Sequence, residues 1–381
     1  MMSIKGESPA LARVRVGVVG TGGWAQGAHL PGFAGFADAE VVAVAGLDRV
    51  EAERAAAEFA VPAVHASAAG MIAAGGLDAV AIVTPDDQHA GIARAALSAG
   101  LHVLCEKPLG VTVAEAGTLA DAAAGAKVRT KMGFTMRHAP AMRRLRELVA
   151  GGEIGEPRTL QAFQQNGQFL DPATPFHWKM DGARTGGGAI VEYGVHTLDL
   201  ARWIMGEATR VCATSRTQTP ARAIAGGGAA PVTVDDSTSW LMDFAGGATG
   251  MCHAGWSTVG RGPGVELRVY GSRGALRCLL SDDLPGAEGL WFADAAGQRF
   301  EPVEIPARLG VGVDPALPWW RRFSALLIRD FLDDIILDRP GFCTFVDGLR
   351  AQELLAAVIA SAREGRWVDV DGAAPLTSAS D

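Results

Sequence analysis

The stretch Val14–Ala25, VRVGVVGTGGWA, constrains the fold of this chain more than any other. Val14, Val16, Val18 and Val19 make a nearly unbroken β-branched run closed by glycine, the pattern of a central strand covered on both faces. Gly20, Gly22 and Gly23 follow at once, then Trp24 and Ala25, the last standing where a third fingerprint glycine can occur. Glycine at such a strand end lets the chain turn tightly and lets a pyrophosphate approach the backbone. A helix after it would aim its free N–H groups at the phosphates. With 49 glycines in 381 residues, a cluster of three carries little weight alone. Context strengthens it. A second strand, Glu40–Leu47, ends on Asp48, whose carboxylate can accept two hydrogen bonds from a ribose diol. Its distance from the glycines is somewhat longer than the usual spacing. A turn glycine before a strand-capping Asp is the plainer alternative.

Strand and helix signals alternate onward from there. Strands are expected at Leu77–Thr84, Leu101–Cys105 and Arg129–Phe134, and helices at Val50–Phe59, His89–Ala99 and Ala114–Ala124. Such alternation gives an α/β fold with a doubly wound parallel sheet, whose ligands lie beyond the carboxyl ends of the strands. Gly20, Asp48, Thr84 and Glu106 all fall at those ends. After Arg137 the pattern changes. A helix over Pro140–Val149 leads into period-two strands: Trp240, Met242 and Phe244 would share one face, and Val265, Leu267 and Val269 another. That spacing suits an open, mostly antiparallel sheet with unequal faces. The expected division is a nucleotide domain at 1–138, a second α/β domain at 139–371, and a disordered tail at 372–381. Late helices are expected at Trp319–Leu337 and Val346–Glu364, and a mobile loop at Ala223–Ala230.

Composition bounds the function. A net charge of −8 and the lack of any basic run argue against nucleic-acid binding. No apolar stretch reaches membrane-spanning length, and no charged segment leads into a long apolar run at the start, so neither a membrane span nor a signal peptide is expected. Five cysteines without CxxC spacing suit a reducing cytoplasm, and no metal site is expected.

Two stretches carry the chemistry. Glu106-Lys107-Pro108 closes a parallel strand, so Lys107 would point into the crevice, where its ammonium can stabilise charge developing on a substrate oxygen. Pro108 holds the turn and is a candidate for a cis peptide bond. A solvated Lys107 paired with Glu106 is the plainer reading. The second stretch, Gly186–Gly206, reads as a largely apolar helix with Glu192, His196 and Asp199 at i, i+4 and i+7 on one face. A polar stripe on a buried helix must be hydrogen-bonded or line a cavity. Histidine suits acid–base work, and a neighbouring carboxylate can orient it. A satisfied structural network would look the same from sequence.

These motifs make the resemblance specific. With VGVVGTGGWAQGAHLPGF, Thr84-Pro85 followed by His89, AGLHVLCEKPL, GFTMRHAP and FHWKMDGARTGGGAIVEYGVHTLDLARWIMGE, the chain resembles the glucose–fructose oxidoreductase / inositol dehydrogenase (Gfo/Idh/MocA) family through nearly its whole length. The resemblance implies a Rossmann domain, NAD as cofactor with NADP possible, and hydride transfer to or from a secondary hydroxyl or ketone of a sugar or polyol. It implies catalytic roles for Lys107 and His196, with Glu192 assisting His196 as a dyad. Glu192 stands where the family usually has aspartate, which keeps the charge and adds a methylene. Cofactor contacts are expected from Gly20, Gly22, Gly23, Trp24, Ala25, Asp48, Thr84, Pro85, His89, Glu106 and Lys107, with Arg49 able to pair with a 2′-phosphate. The substrate wall is expected to draw on Arg137, Asn166, Gln168, Phe169, Trp178, Lys179 and Asp181, with Glu192 and His196. A homodimer or homotetramer through the second sheet is expected. An enzyme that recycles a tightly held nucleotide, and a non-catalytic nucleotide-binding regulator, are the alternatives.

Overall fold

The computed structural model describes residues 13–260, 264–282 and 284–370, and the tail expected at 372–381 lies outside them. Six parallel strands open the chain: β1 (Val14–Val19), β2 (Ala39–Ala45), β3 (Ala63–His65), β4 (Ala79–Ile82), β5 (His102–Cys105) and β6 (Thr130–Met132). They stand in the order β3-β2-β1-β4-β5-β6. The direction of winding reverses between β1 and β4, which opens a crevice at their carboxyl ends. Val16, Val18, Val80 and Ile82 are wholly buried, as strands covered by helices on both faces require.

The second domain is built on β7 (Pro157–Gln165), β8 (Ala208–Arg216), β9 (Ala221–Ala223), β10 (Ala229–Pro231), β11 (Ser237–Phe244), β12 (Thr249–Gly255), β13 (Gly264–Gly271), β14 (Gly274–Ser281), β15 (Glu288–Asp294), β16 (Glu301–Pro302) and β17 (Val368–Asp369). Nine of them form one sheet in the order β16-β15-β14-β13-β7-β12-β11-β8-β17. Only the β7–β12 pair is parallel. β9 and β10 form a separate antiparallel ribbon, so the glycine-rich segment expected as a mobile loop at 223–230 is the tip of this ribbon.

One face of the large sheet is covered. Trp240, Met242 and Phe244 point from β11 into the core, where Leu145, Leu198 and Leu355 meet them from three helices. Each such side chain contributes about 1.5–3 kcal/mol of burial. These three residues are therefore interior and offer no patch. Their neighbours Leu241 and Met251, on the other face, are exposed.

The helix Trp319–Ile336, assigned by sequence to the second domain, straddles both. Its Leu327, Ile328, Phe331 and Leu332 pack on Val14, Val16 and Val18, while Trp319, Phe323 and Leu326 belong to the second core. Lys131 in β6 ties this helix down. Its buried ammonium donates to Asp330, Asp334 and the Phe342 carbonyl, each at 2.6 Å.

Candidate active site

A cleft of about 1160 Å³ lies between the carboxyl ends of the parallel strands and the inner edge of the second sheet. Its nucleotide side begins at Gly20, whose φ of +101° is left-handed and whose absent Cβ would sit 2.2 Å from the Val83 carbonyl oxygen. Only glycine makes that turn. At Gly22 and Gly23 a Cβ would meet nothing within 4 Å, and both line the cleft. The loop thus leaves open the space a pyrophosphate needs, so these residues fit a dinucleotide. The helix after it is not regular. Ala25–His29 is a π-turn that runs into Leu30–Ala34. Pro31 has no N–H for the Gly27 carbonyl, and Arg321 fills that role at 2.7 Å.

Asp48 lines the cleft and caps the helix Arg49–Glu58, its Oδ1 accepting from the Glu51 N–H at 3.0 Å. Its Oδ2 has no protein partner among the described residues. Thr84 and Pro85 also line the cleft. Three expected cofactor contacts do not reach it. Ala25 is buried in the core behind the loop, because the π-turn rotates it inward. Arg49 turns to solvent and pairs with Glu53 at 2.8 Å. His89 lies beneath, its ring nitrogens 2.6 Å from the Pro108 carbonyl and 3.0 Å from that of Thr84, stapling two strand-end loops together.

On the reacting side, Lys107 follows β5, and its bond to Pro108 is cis. Its ammonium ignores Glu106, which is taken by Trp24 Nε1 at 2.7 Å and His29 Nε2 at 2.8 Å. It donates instead to Glu192 Oε2 at 3.1 Å and to the Glu192 carbonyl at 3.2 Å. Lys179 Nζ takes the other oxygen, Oε1, at 2.6 Å. Burial works against charge on both partners and is outweighed. Lys107 is raised above its ordinary value because the carboxylates of Glu192, Asp86 and Glu106 surround it. Glu192 is held well below the usual carboxylate range by Lys107 and Lys179.

Glu192 sits in a π-turn, Ile190–Gly194, that opens the helix Val195–Met205. Asp235 anchors this start, accepting from the N–H groups of Gly188 at 2.8 Å and Ile190 at 3.0 Å. Gly188 is obligatory there, since a Cβ would lie 2.0 Å from the Asp235 carbonyl oxygen. Only part of the expected polar stripe faces the cleft. Glu192 and His196 line the cleft, while Asp199 points away and clasps Arg137 at 2.5 and 2.6 Å. Arg137 is accordingly buried beside Asp199 and Asp347 and does not line the cleft. No hydrogen bond joins Glu192 to His196; Glu192 is occupied by the two lysines. His196 packs edge-on against Phe134, with Nδ1 buried and unpartnered, which leaves Nε2 as the ring nitrogen turned to the cleft. Burial, then the Lys107 charge, push its pKa down to about 3, so the ring is a neutral base.

The substrate wall contains Asn166, Gln168, Trp178 and Lys179 as expected positions. Phe169 packs on Trp256 in a small core, and Asp181 caps the turn Gly182–Thr185, so neither lines the cleft. Sequence reasoning did not single out Asp86, Gln164, Tyr193 or Trp320, which do line it. Asp86 follows Thr84-Pro85 at a strand end, the position that could have flagged it. Burial lifts its carboxyl to about 6.

A glycine-loop nucleotide domain, joined to a sheet-walled second domain with a lysine and a neutral histidine between them, defines a two-domain NAD-binding oxidoreductase. Residues 14–134 match the family model "Oxidoreductase family, NAD-binding Rossmann fold", and residues 142–277 match the GFO/IDH/MocA C-terminal domain. The chain belongs to the GFO/IDH/MocA family of NAD-dependent sugar and polyol oxidoreductases. It is 33% identical over 267 residues to the rhizopine catabolism protein MocA of Rhizobium meliloti, covering 69% of this chain and 78% of that protein. It is 29% identical over 309 residues to levoglucosan dehydrogenase of Pseudarthrobacter phenanthrenivorans, covering 76% and 79%. A solved structure of levoglucosan dehydrogenase with NADH and L-sorbose superposes with a TM-score of 0.88 at 26% identity, over 95% of this chain and all of that one.

Proposed function

We propose that this enzyme oxidises a secondary hydroxyl of a sugar, polyol or sugar derivative with NAD, and reduces the corresponding ketone in reverse. The observation that carries this reading is the meeting of a charged Lys107 with a neutral His196 in the same cleft as the open glycine loop. When bound, the nicotinamide supplies the hydride acceptor. His196 Nε2 takes the hydroxyl proton, and the Lys107 ammonium stabilises the negative charge that grows on that oxygen. Glu192 holds Lys107 in place and keeps it charged. Trp178, with Lys179 and Arg184 over its ring at 5.8 and 5.5 Å, offers an apolar face rimmed by donors, which suits a sugar ring. Asp48 with a free Oδ2, and Arg49 turned away, favour NAD over NADP. A screen of polyols and aldoses with NAD and NADP, read by absorbance of the reduced nicotinamide, tests this. Absence of turnover on every member, in protein that binds NAD, would refute it.

The exposed face of the large sheet bears Leu241 and Met251. A second copy covering it as a homodimer or homotetramer would remove this apolar surface from water. A monomeric mass by light scattering at micromolar concentration would contradict that assembly. All five cysteines are free, the state a reducing cytoplasm maintains.

A further inference from the structure

Gln164 stands out among the polar side chains of the cleft. It follows Leu160 and Ala162 on the buried face of β7 and is 5% exposed, at the end where the strand reaches the cleft. Its Oε1 is buried with no hydrogen-bond partner, and its Nε2 bonds to no described residue either. Two other amides of the cleft are engaged. Asn166 donates to Tyr193 Oη at 2.6 Å and accepts from the Gln168 N–H at 3.0 Å, while Tyr193 donates to Gln168 Oε1. Gln164 is therefore the wall amide kept in the core without a protein partner. Buried amides in folded proteins are satisfied, because leaving one unpaired costs stability with nothing returned. An apolar residue would fill this position at less cost, as Leu160 and Ala162 do.

We propose that Gln164 is a specificity-determining residue whose amide hydrogen-bonds a second oxygen of the substrate, distinct from the one held by Lys107 and His196. This rests on the reading of the enzyme as a sugar or polyol oxidoreductase. Gln164 lines the cleft from β7 of the second domain, whereas Gly22 and Gly23 belong to the nucleotide domain, so the partner assigned to it is substrate and not the pyrophosphate of the cofactor. A carboxamide offers both a donor and an acceptor, the match for a hydroxyl or ring oxygen of a polyhydroxylated ring. Sites built to bond a particular hydroxyl reject analogues lacking it far more strongly than apolar pockets reject an extra methylene.

The test uses Gln164→Leu, nearly isosteric and unable to hydrogen-bond. Three quantities are measured on full-length enzyme: the melting temperature without ligand, NADH affinity, and affinity of the NADH complex for levoglucosan, L-sorbose and a panel of aldoses and polyols by titration calorimetry. The expected result is a melting temperature equal to or about 2 °C above wild type, unchanged NADH affinity, and at least tenfold weaker sugar binding. Gln164→Asn, which keeps the amide one methylene short, recovers part of that loss. A Gln164→Leu protein that melts several degrees lower and binds sugar normally overturns the proposal, since Gln164 would then be structural. A loss confined to NADH overturns it too. If wild type binds no sugar at all, the sugar-enzyme reading fails instead, and the melting comparison alone decides: destabilisation refutes a ligand-reserved amide, and stabilisation supports it.

Discussion

Replacing Glu192 by glutamine keeps the side chain's length and removes its charge. Two ammonium groups then lose their partner, Lys107 at 3.1 Å and Lys179 at 2.6 Å, with all three side chains between 13% and 22% exposed. At the effective dielectric of a partly buried site, one such contact is worth about 4 kcal/mol before desolvation is counted. Removing one partner of a buried pair costs about 3–5 kcal/mol, because the remaining charge is stranded. We expect Glu192→Gln to lose about 3 kcal/mol of stability at neutral pH. The pH dependence distinguishes this from a packing defect. The carboxyl of Glu192 is depressed on folding, so its stabilisation is present above its ordinary value of 4.5 and is lost as pH falls through the folded value. The variant should lose less stability than wild type over that acid range. Lys107 is raised on folding, so its stabilisation is full below its ordinary value of 10.5 and disappears as pH rises through the folded value. Without Glu192 that raised value falls, and the basic limb of the kcat/KM profile moves to lower pH. Glu192→Asp withdraws the carboxylate by about 1.5 Å, which breaks the Lys179 contact but leaves Lys107 its bond to the residue-192 carbonyl. It should keep more activity than Glu192→Gln. Thermal unfolding across pH and kcat/KM profiles decide the matter. A Glu192→Gln protein that melts like wild type and keeps its basic limb in place would refute the reasoning.

Further expectations concern the reacting groups and the cofactor. His196→Ala should lower kcat by roughly two to four orders of magnitude, and Lys107→Met comparably, each with NAD affinity intact by fluorescence titration; near-normal turnover in both folded variants would exclude the mechanism. The ring of His196, with a pKa near 3, should show no protonation step by NMR between about pH 5 and 8, the range where an unperturbed histidine titrates. Asp86, lifted to about 6 by burial, titrates in that range, so Asp86→Asn should flatten a step in kcat/KM near that pH. Asp48→Ala should cut the preference for NAD over NADP by about tenfold, the loss of one charge-assisted hydrogen bond; an unchanged cofactor ratio would remove Asp48 from the ribose site.

What the sequence revealed followed from local signals. β1, β2, β4 and β5 were legible because buried parallel strands are continuous apolar runs. β3 was not, since Ala63–His65 is three residues long, with Val64 exposed between two half-buried neighbours and no pattern of its own. Lys107 and His196 were legible from strand-end placement and helical spacing. The role of Arg137 was not, because whether a guanidinium faces a ligand or an internal carboxylate depends on where Asp199 points. Trp320 reaches the cleft from a helix almost 300 residues beyond the glycine loop, where it stacks on Trp24 at 5.8 Å. No spacing rule links such positions.

The departure at position 192 becomes intelligible once Lys179 is placed. The reaction needs two opposed conditions within one cleft: an ammonium that stays charged and an imidazole that stays neutral. Burial favours the second and opposes the first. A carboxylate bonded to the histidine would favour imidazolium and raise its pKa. Here the carboxylate is bonded to Lys107 and drawn further by Lys179, and it touches the ring only through space. Glu192 therefore sustains the charge on Lys107, and that same charge, after burial, is the main influence keeping His196 neutral. The added methylene of glutamate lets the carboxylate bridge two lysines, and a shorter aspartate at this position would have to surrender one of them.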